Sequence, residues 1–204
     1  VDGLNTYRFE DALTPHIEYL KAHGSWTFHA KPNDPLSSSP NWKSIISGTT
    51  PDQHRVLENG FKNSVYKDDP SCEGEPDVFP TIFTMAKRHN PKWKVGYFEH
   101  WGAFRKLVRG DKINRHFWWE FAPGPVVNRA MVFYKRKDPV ITMIHVDQCD
   151  HAGHKYGHES EEYAASVEQA DELLGKVLRT IDEKDGFSNT YLILVSDHGG
   201  KGHG

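Results

Sequence analysis

Four short stretches of this sequence concentrate side chains that ligate cations or attack electrophilic centres: "VDGLN" with Asp2, "NDPLSSSPNWKSIISG" with three successive serines, "HVDQCDHAGHKYGH", and "SDHGGKGHG". In the third, Asp150 and His154 stand four residues apart with Gly153 between them, a spacing that lets a carboxylate and an imidazole converge on one cation from a tight turn. His154 and His158 repeat the interval, which on a helix would put both rings on one face. Gly153 and Gly157 disfavour a helix, however, and a loop is expected. In the fourth stretch Asp197 and His198 are adjacent. An extended strand would point them to opposite faces, whereas a turn at the strand's end brings both to one ion. His203 follows a glycine-rich stretch that frees it to approach a different point. Carboxylates mixed with imidazoles suit zinc better than calcium or magnesium, which prefer oxygen ligands, and the ligand set fits two ions better than one. A single Asp or His after a strand is usually a turn former or a solvated side chain. Two Asp/His groups flanked by glycines argue for a metal site.

Composition points the same way. Thirteen histidines in 204 residues stand out, because neutral imidazole is the commonest protein metal ligand. A formal charge of −3 with interleaved signs supplies no nucleic-acid-binding patch and no field for a membrane surface, which favours a small-molecule or local-site function. There is no run of 18 apolar residues, so no transmembrane segment is expected. The chain opens without a methionine or an export leader, and nothing in it speaks to oligomeric state. Cys72 and Cys149 are too few for a disulfide framework and fit no paired zinc-ligand spacing. With 37% hydrophobic content the chain can bury one sizeable core, and a single domain over residues 1–204 is expected.

The elements that must position these residues alternate. "TPHIEYLKAHG" has Thr14 as N-cap, Pro15 in the first helical position and Gly24 past the end, which predicts a short helix. "SWTFHA" reads as a strand, "FPTIFTMAKRHN" as a helix, "KVGYFEHW" as extended and "VVNRAMVFYKRK" as a helix. "PVITMIHVD" is a β-branched run expected to form a buried strand. From Ser160 onward Tyr163, Val167, Ala170, Leu174, Val177 and Ile181 recur at steps of four and three, one face of a long helix. "TYLILVSDHG" reads as a further buried strand. The acidic, proline- and glycine-rich "VYKDDPSCEGEPDV" is expected to be a surface loop. Strands alternating with helices predict an α/β fold, a mostly parallel central sheet with helices on both faces. Ligands of such folds bind beyond the carboxyl ends of the strands, where the four clusters fall.

Taken in order, "DGL", "SSSPNW", "DHAGHKYGH" and "SDHGGKGHG" resemble the alkaline phosphatase superfamily, most closely its type I phosphodiesterase/nucleotide pyrophosphatase branch. "TPHIEYLKAHGS" and "SGTTPDQH" extend the similarity over nearly the whole chain. The resemblance implies an alkaline phosphatase-like fold, here truncated at both ends, and two divalent metal ions, most consistent with Zn2+. One ion would be held by Asp150, His154 and His203, the other by Asp2, Asp197 and His198 with the nucleophile hydroxyl as a further ligand. His203 departs from the pattern in that the family's last histidine ligand often comes much later in the chain. The nucleophile lies three residues before an asparagine, which is Ser38, with Asn41 hydrogen-bonding a phosphoryl oxygen. "PNWKSIIS" would begin a helix whose N-terminal amides favour an anion there. The implied activity is hydrolysis of phosphate mono- or diesters, or nucleotide pyrophosphate bonds, through a serine-bound phosphoenzyme. The implied substrate is a small-molecule phosphate ester or nucleotide, and the implied location extracellular or periplasmic.

Sulfatases of the superfamily carry Cys/Ser-x-Pro-x-Arg; here Ser38 and Pro40 match but Trp42 stands where arginine should. Cofactor-independent phosphoglycerate mutases need an inserted domain for which the chain leaves little room. A catalytically inactive relative that binds metal or phosphate is the alternative outside enzymology. Trp42, Trp101, Tyr156 and His158 are candidates to line a substrate pocket, though ordinary burial preferences favour packing roles. His145 and Asp147 are candidate supports of the metal ligands, and Cys149 reads as a small buried side chain.

Overall fold

The computed structural model describes residues 1–6, 11–60, 79–108 and 110–204. The acidic "VYKDDPSCEGEPDV" segment, with Cys72, lies outside the described residues.

The apolar run Val95–Glu99 (β1) is buried at every position, as expected of a strand covered on both faces. It is the central strand of a three-stranded sheet, flanked by Arg115–Trp118 (β2) on one edge and Ile141–His145 (β3) on the other, with both pairings parallel. In the register Glu99 stands opposite both Trp118 and His145. Alternation along β1 divides the core. Val95 and Tyr97 pack with Trp42, Phe83, Phe104 and Leu107, residues of Ser38–Ser47 (α2), Ile82–His89 (α4) and the segment after β1. Phe98 packs on the opposite face with Val126, Ala130 and Phe133 of Pro123–Lys137 (α5) and with Val177 and Ile181 of Glu161–Asp185 (α7). Helices therefore cover both faces, as the alternating pattern predicts.

The helix at Pro15–His23 (α1) starts and stops where its Thr-Pro and Gly signals place it. Its Thr14 side chain makes no capping bond. The buried Asp171 of α7 takes that role instead, accepting from the backbone amides of His16 at 3.2 Å and Ile17 at 2.8 Å, two of the amides that have no partner within the helix. The α7 N-terminus is capped by Ser160, which accepts from the Tyr163 amide. The predicted stripe from Tyr163 to Ile181 is buried throughout, and each of its larger side chains contributes roughly 1.5–3 kcal/mol by leaving water. A short helix at Pro51–His54 (α3) follows α2.

Three expectations are corrected. "SWTFHA" forms no strand; Trp26 and Phe28 are exposed and lie against the Lys21 ammonium. The apolar part of "TYLILVSDHG" is largely exposed and joins no ladder among the described residues: Tyr191 is 99% and Ile193 81% exposed, and burial returns only at Asp197. Both runs have strand-like composition, but a strand needs a neighbour that pairs with its backbone groups in register, and among the described residues neither run joins a ladder; the second meets the N-terminal segment through separate bonds, Val1 N to Val195 O at 2.9 Å and Leu4 N to Ser196 Oγ at 3.0 Å among them. Third, "DHAGH" is not a loop. Gln148–Tyr156 is a helix (α6) entered directly from β3, with Asp147 as N-cap and Gly157, at φ +97°, ending it.

Candidate metal centre

The carboxyl ends of β1 and β3 and the N-termini of α2 and α6 meet around Asp2, which is fully buried. The Asp2 amide donates to Val146 O at 2.8 Å, and the Asp150 amide donates to Asp2 O at 3.2 Å, occupying one of the free amides of the first turn of α6. Gly3 turns the chain away at φ +62°, so close to α6 that a Cβ would stand 2.7 Å from Asp150 Cα. Tyr163 of α7 secures the turn, donating to Gly3 O at 2.7 Å and accepting from the Asn5 amide at 2.9 Å.

Around this anchor the structure gathers most of the residues singled out in the sequence. His198 Nε2 lies 3.4 Å from Asp2 Oδ1, 3.4 Å from Asp197 Oδ2 and 3.9 Å from Asp150 Oδ1. Ser38 Oγ is 3.1 Å from His198 Nε2 and 3.4 Å from Asp2 Oδ1. Asp150 and His154 sit one helical turn apart on α6, with Asp150 Oδ2 3.4 Å from His154 Nε2. His203 lies beside His154 and, among the described residues, forms no ion pair with a carboxylate; the two histidines are cross-linked, His154 Nδ1 to His203 O at 2.8 Å and His203 Nδ1 to His154 O at 3.2 Å.

The tautomers test whether a cation fits. A backbone carbonyl only accepts, so each imidazole nitrogen facing one carries the proton. Nδ1 of His198 faces Gly199 O at 2.8 Å, and Nδ1 of His154 and of His203 face the carbonyls just named. In all three the Nδ1 proton is held by backbone, which leaves the Nε2 lone pair free, the arrangement that fixes a metal-ligating histidine. For His198 that lone pair faces carboxylate oxygens. Two of these, Asp197 Oδ2 and Asp150 Oδ1, are buried without a hydrogen-bond donor. Lone pairs aimed at one another in a buried space are unfavourable unless a positive charge stands between them. The donor set, carboxylate with imidazole, fits zinc. Asp2, Asp197 and His198 form one group of suitable geometry; Asp2, His145 and Asp147 form a second.

Electrostatics follow from the crowding. Burial and then the Asp2 charge push the Asp197 carboxyl up to about 9, and Asp147 likewise to about 9. Asp150 is raised for the same two reasons. Asp2 goes the other way. Burial works to raise it, but the hydrogen bond and charge of His145, the positive charge His198 carries when protonated and the Trp42 indole together hold it below the usual carboxylate range.

Asn41 is not free to meet a phosphoryl group. Its carboxamide accepts from the Asn33 amide at 2.8 Å and donates to Asn33 O, Pro35 O and Ser37 O, shaping the loop before α2. Asn59 reaches the same helix end from outside, its Oδ1 accepting from Ser37 Oγ and from the Ser39 amide, both at 2.8 Å. No local pattern flags Asn59 in the sequence. Among the pocket candidates Trp42 is fully buried and His158 nearly so, Tyr156 is exposed, and Cys149 is buried as expected.

Comparison with known proteins adds an independent line. A family model described as type I phosphodiesterase / nucleotide pyrophosphatase matches residues 1–202. Human ectonucleotide pyrophosphatase/phosphodiesterase family member 1 is 26% identical over 92% of this chain and 21% of its own length. Venom phosphodiesterase 2 of Crotalus adamanteus is 22% identical over 98% of this chain and 26% of its own. Among solved structures, murine ectonucleotide pyrophosphatase / phosphodiesterase 5, in an inactive threonine-to-alanine form with AMP, superposes with a TM-score of 0.76 at 18% identity, covering 97% of this chain and 55% of that one. Phosphonoacetate hydrolase from Sinorhizobium meliloti 1021, in complex with phosphonoformate, gives 0.58 at 18% identity over 88% and 52%. The likeness shows a shared alkaline phosphatase-like α/β fold, and this chain spans about a quarter of the length of the curated relatives.

Proposed function

Because the chain belongs to the type I phosphodiesterase / nucleotide pyrophosphatase family, we propose that it is a single hydrolase domain, residues 1–204, cleaving phosphoric esters with Ser38 as nucleophile. The observation that carries the reading is the convergence of Ser38 Oγ, His198 Nε2 and Asp2 Oδ1 within 3.4 Å of one another at the N-terminus of α2.

Asp2, Asp197 and His198 would hold one divalent cation beside Ser38, and Asp150, His154 and His203 a second. Zinc in these positions supplies Lewis acidity, which lowers the pKa of a hydroxyl or water and offsets phosphoryl charge. The chain's own residues do the rest. Ser38 stands in the first turn of α2, where the positive end of the helix dipole favours a phosphoryl anion. Its Oγ bonds to phosphorus as the bond to the leaving oxygen breaks, the Ser38 proton passing by way of solvent to the departing oxygen; water then attacks the same phosphorus, the P–Oγ bond breaks, one water proton returns to Oγ and the phosphate is released. Asn59, whose carboxamide NH2 group makes no hydrogen bond among the described residues, would be the amide available to a phosphoryl oxygen. The substrate class is a small phosphate ester or nucleotide, in keeping with the AMP bound by the murine neighbour. The names of the relatives, ectonucleotide and venom enzymes, support an extracellular setting.

The test is zinc titration of the full chain with 4-nitrophenyl phosphate and bis(4-nitrophenyl) phosphate. Zinc-dependent release of 4-nitrophenolate from at least one is expected, falling by about 10³-fold or more in Ser38→Ala. Zinc uptake without turnover would favour a binding protein, and turnover surviving Ser38→Ala would displace the nucleophile assignment.

A further inference from the structure

The two carboxylate oxygens of Asp2 have different neighbours. Oδ2 accepts from the Trp42 indole Nε1 at 2.8 Å and from His145 Nε2 at 2.9 Å. Oδ1 faces Ser38 Oγ and His198 Nε2, each at 3.4 Å. Both donors are fully buried and locked by aromatic packing: Trp42 lies 5.5 Å from the Phe104 ring and edge-on to His145 at 5.0 Å, and His145 lies 4.9 Å from Phe104. Trp42 comes from α2 and His145 from the last position of β3, so two different elements hold one oxygen.

We propose that Trp42 and His145 are positioning residues that clamp Oδ2 of Asp2, leave Oδ1 as its single ligating oxygen, and thereby set the affinity of the Asp2–Asp197–His198 group for a divalent cation. The inference rests on the two-cation reading above. The physical reason is preorganisation. A carboxylate whose plane is fixed by two charge-assisted hydrogen bonds needs no reordering when a cation arrives, and an oxygen already bearing two donors competes poorly as a ligand. Neither residue touches the reacting atoms.

The experiment measures zinc affinity and stoichiometry of the full chain by competition with a chromophoric chelator, alongside thermal unfolding of the metal-free protein. Trp42→Phe keeps an aromatic ring but removes the N–H together with part of the indole; His145→Leu removes the other donor; His145→Gln keeps an N–H near the same point. Trp42→Phe and His145→Leu are each expected to weaken one zinc site by about 10- to 100-fold, with His145→Gln recovering part of the loss. Unchanged affinity in a folded Trp42→Phe overturns the clamp. So does a third zinc ion that disappears in the His145 variants, which would make His145 a ligand together with Asp147. If His145→Leu does not fold, Trp42→Phe and His145→Gln decide. Failure of the unsubstituted chain to bind zinc overturns the two-cation reading and the clamp with it; zinc binding that is the same in every variant overturns the clamp alone.

Discussion

His158 is clasped between two glycines: a Cβ on Gly153 would stand 2.3 Å from its Cε1, and one on Gly200 2.0 Å from its Nε2. The ring is further held by Asn5, Nδ2 to Nδ1 at 3.3 Å, and the His158 amide donates to Gly202 O at 2.7 Å. The glycine-rich end of the chain thus wraps a buried imidazole just past the end of α6, and this wrapping carries His203 to its place beside His154.

Gly153→Ala and Gly200→Ala are therefore expected to destabilise the protein. Alanine favours a helix over glycine by about 1 kcal/mol, but at Gly153 the imidazole cannot retreat, because Gly200 closes its other side. The net loss should be about 1–3 kcal/mol, the range for overpacking a filled site, with zinc binding weakened at the Asp150–His154 side. Gly124→Ala in the first turn of α5, where a Cβ meets nothing within 4 Å, should be neutral or stabilising by up to about 1 kcal/mol. Urea unfolding of the three variants checks the contrast; equal effects would show that the clasp does not exist.

Asn41 and Asn59 should separate structure from chemistry. Asn41→Ala removes the bonds that shape the 33–37 loop and is expected to lower stability by about 2 kcal/mol, since buried partners are left unmatched. Asn59→Ala loses the bonds to Ser37 and Ser39 and should cost less stability, about 1 kcal/mol, while reducing kcat/KM by about tenfold or more. The reverse pattern in thermal melts and steady-state kinetics would return the phosphoryl contact to Asn41.

Removal of metal should make stability depend on pH in a defined direction. Asp147 and Asp197, raised to about 9 by burial and by the Asp2 charge, keep their protons in the metal-free fold but ionise near 3.8 when unfolded. A folded pKa above the unfolded one contributes stability at low pH that is lost as pH rises toward 9. Zinc held by Asp2, Asp197 and His198 would replace the Asp197 proton, so its stabilising effect should grow with pH. Melting with zinc and with EDTA at pH 6 and pH 8.5 measures this; a zinc increment that is smaller at pH 8.5 contradicts it.

His54 should make the protein acid-labile in a separate window. Burial, then the Lys43 charge, push its imidazole down to about 4. Its Nδ1 accepts from the Val56 amide at 3.1 Å, so its Nε2 proton is directed to Ser44 Oγ at 3.0 Å, tying α3 to α2. A lowered folded pKa means that stability is complete above about 6.5 and is lost as pH falls toward 4, by up to roughly 1.4 kcal/mol per pH unit. His54→Gln should be less stable at pH 7.5 yet lose less between pH 6.5 and 4.5. Parallel profiles from denaturant titrations would exclude the assignment.

The family was legible in the sequence because the residues that carry the resemblance reside in short motifs. So were α1, α4, α5, α7, β1 and β3, whose signals, a Thr-Pro start or an apolar stripe or a β-branched run, act over three or four residues. What local signals cannot contain was decided by the fold. Gly153 argues against a helix on its own propensity, yet α6 forms, because the Asp2 carbonyl receives the Asp150 amide and because His158 needs the space that a side chain would fill. Leu192 and its neighbours have strand composition but no ladder, since pairing depends on a second chain segment. Trp42 resembles a substrate-stacking aromatic in sequence and proves to be a buried donor to Asp2. Contacts such as Gly3 with Asp197 join residues 194 positions apart, and only three-dimensional packing selects which oxygen, nitrogen or ring edge meets which at that separation.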